Sequence, residues 1–336
     1  MLPSLRPFVV CLSLLCLPAV AAPVAGLYQV REPVQGDEAQ SRDQALHDAL
    51  KTLVQRLTGS KTAADSQALA DLRKDPQQII SQFGYDADAL VVEFDPGATD
   101  RALRAAGLPV WGANRPAILT WWVNEGVDGG QLVGESQDGS ALLQRAAQHR
   151  GVAVRLPLAD LSEQLLADQD QLFSQEPQAL REASERYAAD ALMTVAAKST
   201  GEQWQGRWQL WLGEERLHGQ ASGADQAALA DTIMTAVTEQ LAPRFVVKAG
   251  AAQRMTLVLS GANLARFAAA ERLLEPFSPT LKSVDGDQLT YEVQGNLEQL
   301  RAQLALGHLQ EQPAVPAEAV SAEPASAPAP SVRFSW

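Results

Sequence analysis

One short segment constrains the fold more than any other. Residues 117–123 read Ala-Ile-Leu-Thr-Trp-Trp-Val, so apolar side chains fall on both faces of an extended chain. A strand with two apolar faces must be covered on both sides, as is the central strand of a sheet between helix layers. Segments with helical spacing alternate with strand-like segments along most of the chain. The predicted fold class is therefore α/β and α+β, with mixed sheets packed with helices.

Clusters of proline and glycine divide the chain into three small modules. Asn114-Arg115-Pro116 separates the first from the second, and Pro243 precedes the third. Beyond Gln310 the composition changes to Pro, Ala, Glu and Ser, which predicts a disordered C-terminal tail. The predicted parts are a signal peptide at 1–21, an N-terminal α+β module at 22–112, a central α/β module at 115–247, a β-α-β-β-α module at 252–309 and a Pro/Ala-rich disordered tail at 310–336.

Local signals place elements in the first module. Ser41-x-x-Gln44 has the form of a capping box, and it predicts the start of a helix that Gly59 stops. Pro76 predicts the start of a second helix that continues through Phe83. The segment from Ala89 to Phe94 reads as a strand and ends at Asp95-Pro96-Gly97.

The first residues have the form of a secretory signal peptide. Arg6 precedes an apolar run from Phe8 to Leu17, which is about half of the roughly 20 residues that a membrane span needs. Ala19-x-Ala21 predicts cleavage after Ala21. We therefore expect a soluble periplasmic protein without a stable membrane anchor after cleavage, and an uncleaved anchor is the alternative.

Cysteine use and charge limit the partners. Cys11 and Cys16 both lie in the predicted leader, so the mature chain would contain no disulfide, and the bulky residues before each cysteine disfavour lipidation. The formal net charge of −13 argues against nucleic acid or anionic lipid as the main partner.

No motif predicts a catalytic residue, a cofactor site or a metal site. The four histidines, His47, His149, His218 and His308, belong to separate predicted elements. We interpret His47 and His149 as solvated or satisfied by a neighbour. The loop from Gly126 to Gly130 carries acidic residues and lacks the Lys-Ser/Thr of a phosphate loop, so a hairpin or exposed loop is the favoured interpretation over a phosphate or calcium site.

Aromatic residues provide the candidate binding residues. Trp204 and Trp208 share one face of a predicted strand, which favours core packing, whereas Trp211 points to the other face and is the best exposed candidate. The chain ends with three apolar side chains at strand spacing. The predicted partner-binding residues are Trp211, Val332, Phe334 and Trp336.

Three short segments resemble exported proteins. Ser41-Arg42-Asp43-Gln44-Ala45-Leu46, continued by Ala49-Leu50, is similar to the start of the N-terminal domain of the flagellar T-ring protein, with Ser41 in place of the usual Ala. Ala188-Ala189-Asp190-Ala191-Leu192, followed by a pair of strands of which the first bears tryptophans, resembles the fold of penicillin-binding-protein activators, the TolB N-terminal domain and curli secretion components. With Leu257-Val258-Leu259-Ser260-Gly261, the pattern resembles a proteobacterial exported family, domain of unknown function 2066. The resemblance implies a periplasmic location and no reaction.

Three hypotheses of function follow. The first is a non-enzymatic adaptor or regulator that binds another envelope protein, with the apolar strand of the tail adding to a sheet edge or entering a pocket of the partner. The second is a binding module for cell-wall glycan or another small ligand, which would use Trp211 and the acidic Gly-rich loop. The third is an enzyme of an unrecognised class.

Overall fold

The computed structural model describes residues 24–34, 39–127, 129–246, 253–313 and 331–336. In this part of the chain, three sheets pack with helices, which confirms the predicted fold class. The predicted signal peptide lies outside the described residues, and so does the predicted tail from residue 314 to residue 330.

The first sheet is antiparallel, with strand order β1-β3-β2. Its elements are β1 (Gln29–Pro33), α1 (Ala39–Thr58), α2 (Ala70–Lys74), β2 (Ile80–Asp86), β3 (Ala89–Phe94) and α3 (Pro96–Ala105). Helix α1 buries the stripe that the sequence predicts, and Gly59 follows its last residue with φ +69°. The helix predicted from Pro76 through Phe83 is wrong: a single 3-10 turn at Pro76–Ile79 leads directly into strand β2.

The second sheet is mixed and has helices on both faces. Its elements are β4 (Ala117–Gly126), β5 (Gly129–Val133), α4 (Ser140–Arg150), β6 (Ala153–Arg155), α5 (Leu161–Leu166), α6 (Gln169–Leu172), α7 (Gln178–Ser184), β7 (Ala191–Ser199), β8 (Trp204–Leu212), β9 (Glu215–Gly223) and α8 (Gln226–Phe245). Strand β4 pairs in parallel with β7 on one side and with β6 on the other, where it also forms a hairpin with β5. Strands β8 and β9 extend the sheet in antiparallel order beyond β7.

The third sheet has the order β11-β12-β10-β14-β13. Its elements are β10 (Gln253–Ser260), α9 (Leu264–Leu274), β11 (Thr280–Asp285), β12 (Gln288–Gly295), α10 (Leu297–Ala305), β13 (Gln310–Gln312) and β14 (Ser331–Ser335). Strand β14 comes from the end of the chain, yet it lies between β10 and β13 and runs parallel to β10. The predicted tail therefore begins and ends in strands of this sheet.

Strand β4 lies at the centre of the packing, as its two apolar faces predict. Trp122 belongs to a core that also contains α4, α8 and the inner face of the third sheet. Trp121 belongs to a second core on the opposite face, under the segment that carries α5, α6 and α7. Helix α8 is buried along most of its length because it contacts both the second sheet and α10 of the third.

Within the described residues, no helix is both long enough and apolar enough to cross a bilayer.

Candidate functional site

A polar cleft of about 510 Å³ lies where α1, α4 and α8 meet. His149, near the end of α4, is held on both ring nitrogens. Its Nδ1 lies 2.7 Å from a carboxylate oxygen of Asp231 on α8, and its Nε2 lies 3.1 Å from a carboxylate oxygen of Glu32 on β1. The Thr52 hydroxyl on α1 donates to the same Glu32 oxygen at 2.5 Å, and the Arg150 guanidinium donates to both oxygens of Asp231.

This geometry fixes the charges of the cluster. Two carboxylates at the two ring nitrogens favour the imidazolium, which donates from both. Burial lowers the pKa of His149, but the hydrogen bonds to Asp231 and Glu32 outweigh burial and raise it above its ordinary value. Burial raises the pKa of Asp231, but His149 and Arg150 outweigh that effect and bring the pKa to about 2. The cluster is thus a network of paired charges that joins the first sheet to the second.

Two buried arginines extend this joint beneath the cleft. The Arg56 guanidinium donates to the carbonyls of Leu27, Gln29 and His149, at 2.8, 2.8 and 2.9 Å. Arg115 donates to the carbonyls of Arg56 and Gly151 at 2.7 and 2.8 Å.

Burial and neighbouring positive charges lower the pKa values of both arginines. Their residue exposures are only 2% for Arg56 and 1% for Arg115. Burial, with a smaller contribution from Arg150, lowers the pKa of Arg56 to about 10. Burial, with a smaller contribution from Arg56, lowers the pKa of Arg115 to about 9. Both side chains still ionise at neutral pH, and their hydrogen bonds go to backbone carbonyls, so their role is to hold elements together.

The cleft carries a histidine, carboxylates and a hydroxyl, but their arrangement does not form a nucleophile with its base. The Thr52 hydroxyl donates to Glu32, and both His149 nitrogens face carboxylates, so no ring nitrogen is left to accept the hydroxyl proton. Both ring nitrogens of His149 have hydrogen-bond partners, which confirms the prediction that a neighbour satisfies this side chain. The identity of those neighbours was missed because Glu32, His149 and Asp231 lie far apart in the chain.

A second concavity, of about 700 Å³, opens on the face of the second sheet that carries α5 to α7. It lies beyond the end of α6, where no described helix or strand covers the sheet. The carboxyl ends of the parallel strands β4 and β7 form part of its floor, and strands β8 and β9 complete it. Its lining is polar and includes Lys198 and Arg207.

Strand β2 forms an exposed edge of the first sheet. Phe83 and Tyr85 pair with Val92 and Leu90 of β3, so all four side chains project to the face that α1 covers. Val92 and Leu90 are buried under α1, whereas Phe83 and Tyr85 lie beyond it and are 42% and 47% exposed. Nothing lies within 4 Å of a Cβ placed on Gly84 between them.

The structure corrects the predicted exposure of Trp211. Its side chain does point to the face opposite Trp208, as strand alternation predicts, but it is only 3% exposed. It packs in the second core with Leu172 and Leu180, from α6 and α7. The indole therefore offers no exposed stacking platform for a sugar.

The apolar end of the chain also lies against the protein itself. Val332 and Phe334 of β14 pair with Leu257 and Leu259 of β10, and Phe334 is only 2% exposed. The Arg266 guanidinium lies 5.7 Å from the ring centroid of Trp336. Val332 and Phe334, two of the residues predicted to enter a partner's sheet, thus lie in a strand of the chain's own third sheet, and Trp336 follows that strand.

The remaining sequence motifs are the Gly-rich loop and the candidate metal-binding side chains. The backbone near Gly126 and Gly129 turns from β4 into β5, which confirms the predicted hairpin. The described ranges contain no group of three or more His, Cys, Asp or Glu side chains that could hold a metal ion.

One family model is similar to the first part of the chain. A family model described as a domain of unknown function, DUF8605, matches residues 21–112, which hold the first sheet and its helices. The predicted family, domain of unknown function 2066, is not confirmed. No curated protein matches the chain.

One structural match is to the LpoB C-terminal domain from Salmonella enterica in its selenomethionine form. It is 14% identical, covers 37% of this chain and 90% of that one, and has a TM-score of 0.21. At this TM-score, the match supports no conclusion about the fold or the partner of this chain.

Proposed function

We propose that this protein is a non-enzymatic adaptor of the cell envelope that binds an extended segment of another periplasmic protein at the edge of β2. The observation that carries the proposal is the exposed aromatic pair Phe83 and Tyr85 on an edge strand. Edge strands present unpaired backbone N–H and C=O groups, and proteins usually protect them with Lys, Pro or a covering element. The sequence of β2, Ile-Ser-Gln-Phe-Gly-Tyr-Asp, contains neither Lys nor Pro.

Two other outer strands, β9 and β11, differ from β2. Strand β9 begins with Glu215 and Arg216, and α8 packs against it. Strand β11 carries Lys282, which lies 3.2 Å from Glu292. On β2, an incoming strand would pair with the backbone while its apolar side chains contact the two aromatic rings, which is the usual division of affinity and specificity in strand addition. The predicted export of the chain would place the partner in the periplasm.

Quantitative in-cell crosslinking of a tagged chain tests this proposal. We expect the double variant Phe83→Ser/Tyr85→Ser to recover the crosslinked partner at least fivefold less efficiently than the wild type. Both residues are nearly half exposed and lie beyond α1, so the urea midpoint should change little.

The matched control is Leu161→Ser/Leu165→Ser on α5, which removes two apolar side chains that are 74% and 75% exposed. This control should recover the partner as well as the wild type does. Strand addition at β2 would be contradicted if the β2 variant recovered as much crosslinked partner as the wild type. It would also be contradicted if both variants lost the same fraction of the partner.

A further inference from the structure

The second concavity is a regular grid of side chains on one face of four strands. Residues paired across neighbouring strands project to the same face, so each set of paired positions forms a row. The outer row consists of Glu125, Lys198, Gln205 and Ser222. The next row consists of Val123, Ala196, Arg207 and Gln220.

The second row explains why the surface is concave. Ala196 is small and buried, and it lies between the buried Val123 and the long side chain of Arg207. One more step along the strands, α6 closes the face, because the Thr194 hydroxyl donates to the carbonyl of Leu172 at 2.8 Å. The concavity is therefore bounded by α6 on one side and open to solvent at the strand ends.

The charges of the lining select a kind of ligand. Lys198 and Arg207 lie on adjacent strands and two residues apart along the register, although the whole chain carries a formal net charge of −13. The Arg207 guanidinium carbon lies 3.9 Å from the ring centroid of Phe173, a stacking contact that holds the side chain over the concavity. Glu125 pairs with Lys198 across β4 and β7, so the lining carries one carboxylate beside its two cations.

The remaining lining supplies uncharged and acidic hydrogen-bonding groups. Gln203, Gln205 and Gln220 offer amides, Ser222 offers a hydroxyl, and Glu125 offers a carboxylate next to Lys198 in the outer row. Amides and hydroxyls both donate and accept, which suits a ligand rich in hydroxyl groups, and the carboxylate accepts from such hydroxyls.

We infer that this concavity binds a small anionic, polyhydroxylated ligand, such as an acidic or phosphorylated sugar. Lys198 and Arg207 would bind the anionic group, and the glutamines, Ser222 and Glu125 would bind the hydroxyls. The volume of about 700 Å³ falls within the range usual for small-molecule sites. The position agrees with the rule that ligands of open α/β sheets bind at the carboxyl ends of parallel strands, here β4 and β7. The inference does not depend on strand addition at β2.

Isothermal titration of the full chain with three matched sugars tests the inference. The probes are D-glucuronate, D-glucose 6-phosphate and neutral D-glucose. We expect at least one anionic sugar to bind at least tenfold more tightly than glucose, and the arm that binds identifies the anionic group as carboxylate or phosphate. Lys198→Gln should weaken that binding at least fivefold.

The control variant is Lys74→Gln, because Lys74 is an exposed lysine on α2 outside the lining. It should bind the anionic sugar as the wild type does. Equal affinities for all three sugars would overturn the inference, as would unchanged binding by Lys198→Gln or equal weakening by Lys74→Gln.

Discussion

Two glycines share a backbone conformation but differ in what surrounds them. Gly59 follows α1 with φ +69°, and Gly107 follows α3 with φ +71°. A Cβ on Gly59 would lie 2.0 Å from the Cβ of Ala242 on α8, whereas nothing lies within 4 Å of a Cβ on Gly107. At Gly107 glycine is favoured by conformation alone. At Gly59 it is also required because α8 packs directly against the end of α1.

Alanine substitutions should separate these two effects. Gly107→Ala should lower the free energy of unfolding by about 1 kcal/mol, the cost of a left-handed backbone for a residue with a Cβ. Gly59→Ala carries the same cost and must also displace Ala242, so we expect a further loss of about 1–3 kcal/mol. Urea denaturation of both variants measures the difference. Equal losses would show that α8 does not pack against Gly59 in solution.

At these residues the sequence predicts local conformation better than it predicts contacts. Gly59 is predicted as a helix stop from its neighbours alone, and Trp211 is predicted on the correct face from strand alternation. The contact of Gly59 with Ala242 and the cover over Trp211 both come from residues distant in the chain. The same limit applies to the cleft, since nothing near His149 in sequence indicates Glu32.

At the scale of elements, strand β14 shows that side-chain spacing predicts a strand but not the sheet that the strand joins. The alternation of Val332, Phe334 and Trp336 predicts a strand, and the structure forms one. Spacing alone does not say which sheet receives it, because an edge of a partner and an edge of the chain itself offer the same hydrogen-bonding groups. Strand β2 was missed because Pro76 predicts a helix through Phe83, and the polar pair Ser81-Gln82 gives no apolar alternation at the start of the strand.

The docking of β14 gives a prediction about stability. Phe334→Ala removes a buried phenyl ring from the core of the third sheet and should lower the free energy of unfolding by about 3–5 kcal/mol. Arg333→Ala, on the exposed face of the same strand, is the control and should change it by less than about 0.5 kcal/mol. Urea denaturation compares the two. If the two variants are equally stable, β14 is not docked in this sheet in solution.

At the scale of the molecule, the first and second sheets are joined by charged side chains as well as by apolar packing. Arg56 and Arg115 bind backbone carbonyls from both sides of this joint, and His149 links Glu32 of the first sheet to Asp231 on α8. The sequence predicts the elements on either side of the joint but not the joint itself. Its residues come from β1, α1, α4, α8 and the segment between α3 and β4 that carries Arg115, and only the folded arrangement brings them together.

The histidine makes the joint sensitive to pH. Folded His149 binds its proton more tightly than the unfolded chain does, so its stabilisation is complete below the unfolded pKa of about 6.5 and is lost as pH rises through the raised folded pKa. Asp231, with its pKa lowered to about 2, contributes above about pH 4 and loses its effect only as pH falls toward 2. The joint is therefore strongest between about pH 4 and pH 6.5.

Urea denaturation at pH 6 and pH 8 measures this effect. From pH 6 to pH 8, the free energy of unfolding should fall further for the wild type than for His149→Gln, because the variant lacks the titrating group. At pH 6, His149→Gln should cost on the order of 1–3 kcal/mol, since Glu32 and Asp231 each lose a hydrogen-bond donor. The other charged groups that line the cleft, Asp48, Lys51, Lys61 and Arg150, are the same in both proteins, so the comparison isolates the effect of His149.

His218→Gln provides the control for this comparison, because His218 is exposed on β9 and outside the cleft. This variant should keep the wild-type difference in stability between pH 6 and pH 8. A His149→Gln variant that retains the full difference would assign the pH dependence to another group. In that case Arg150 would still bind Asp231, and Arg56 and Arg115 would still bind backbone carbonyls across the joint.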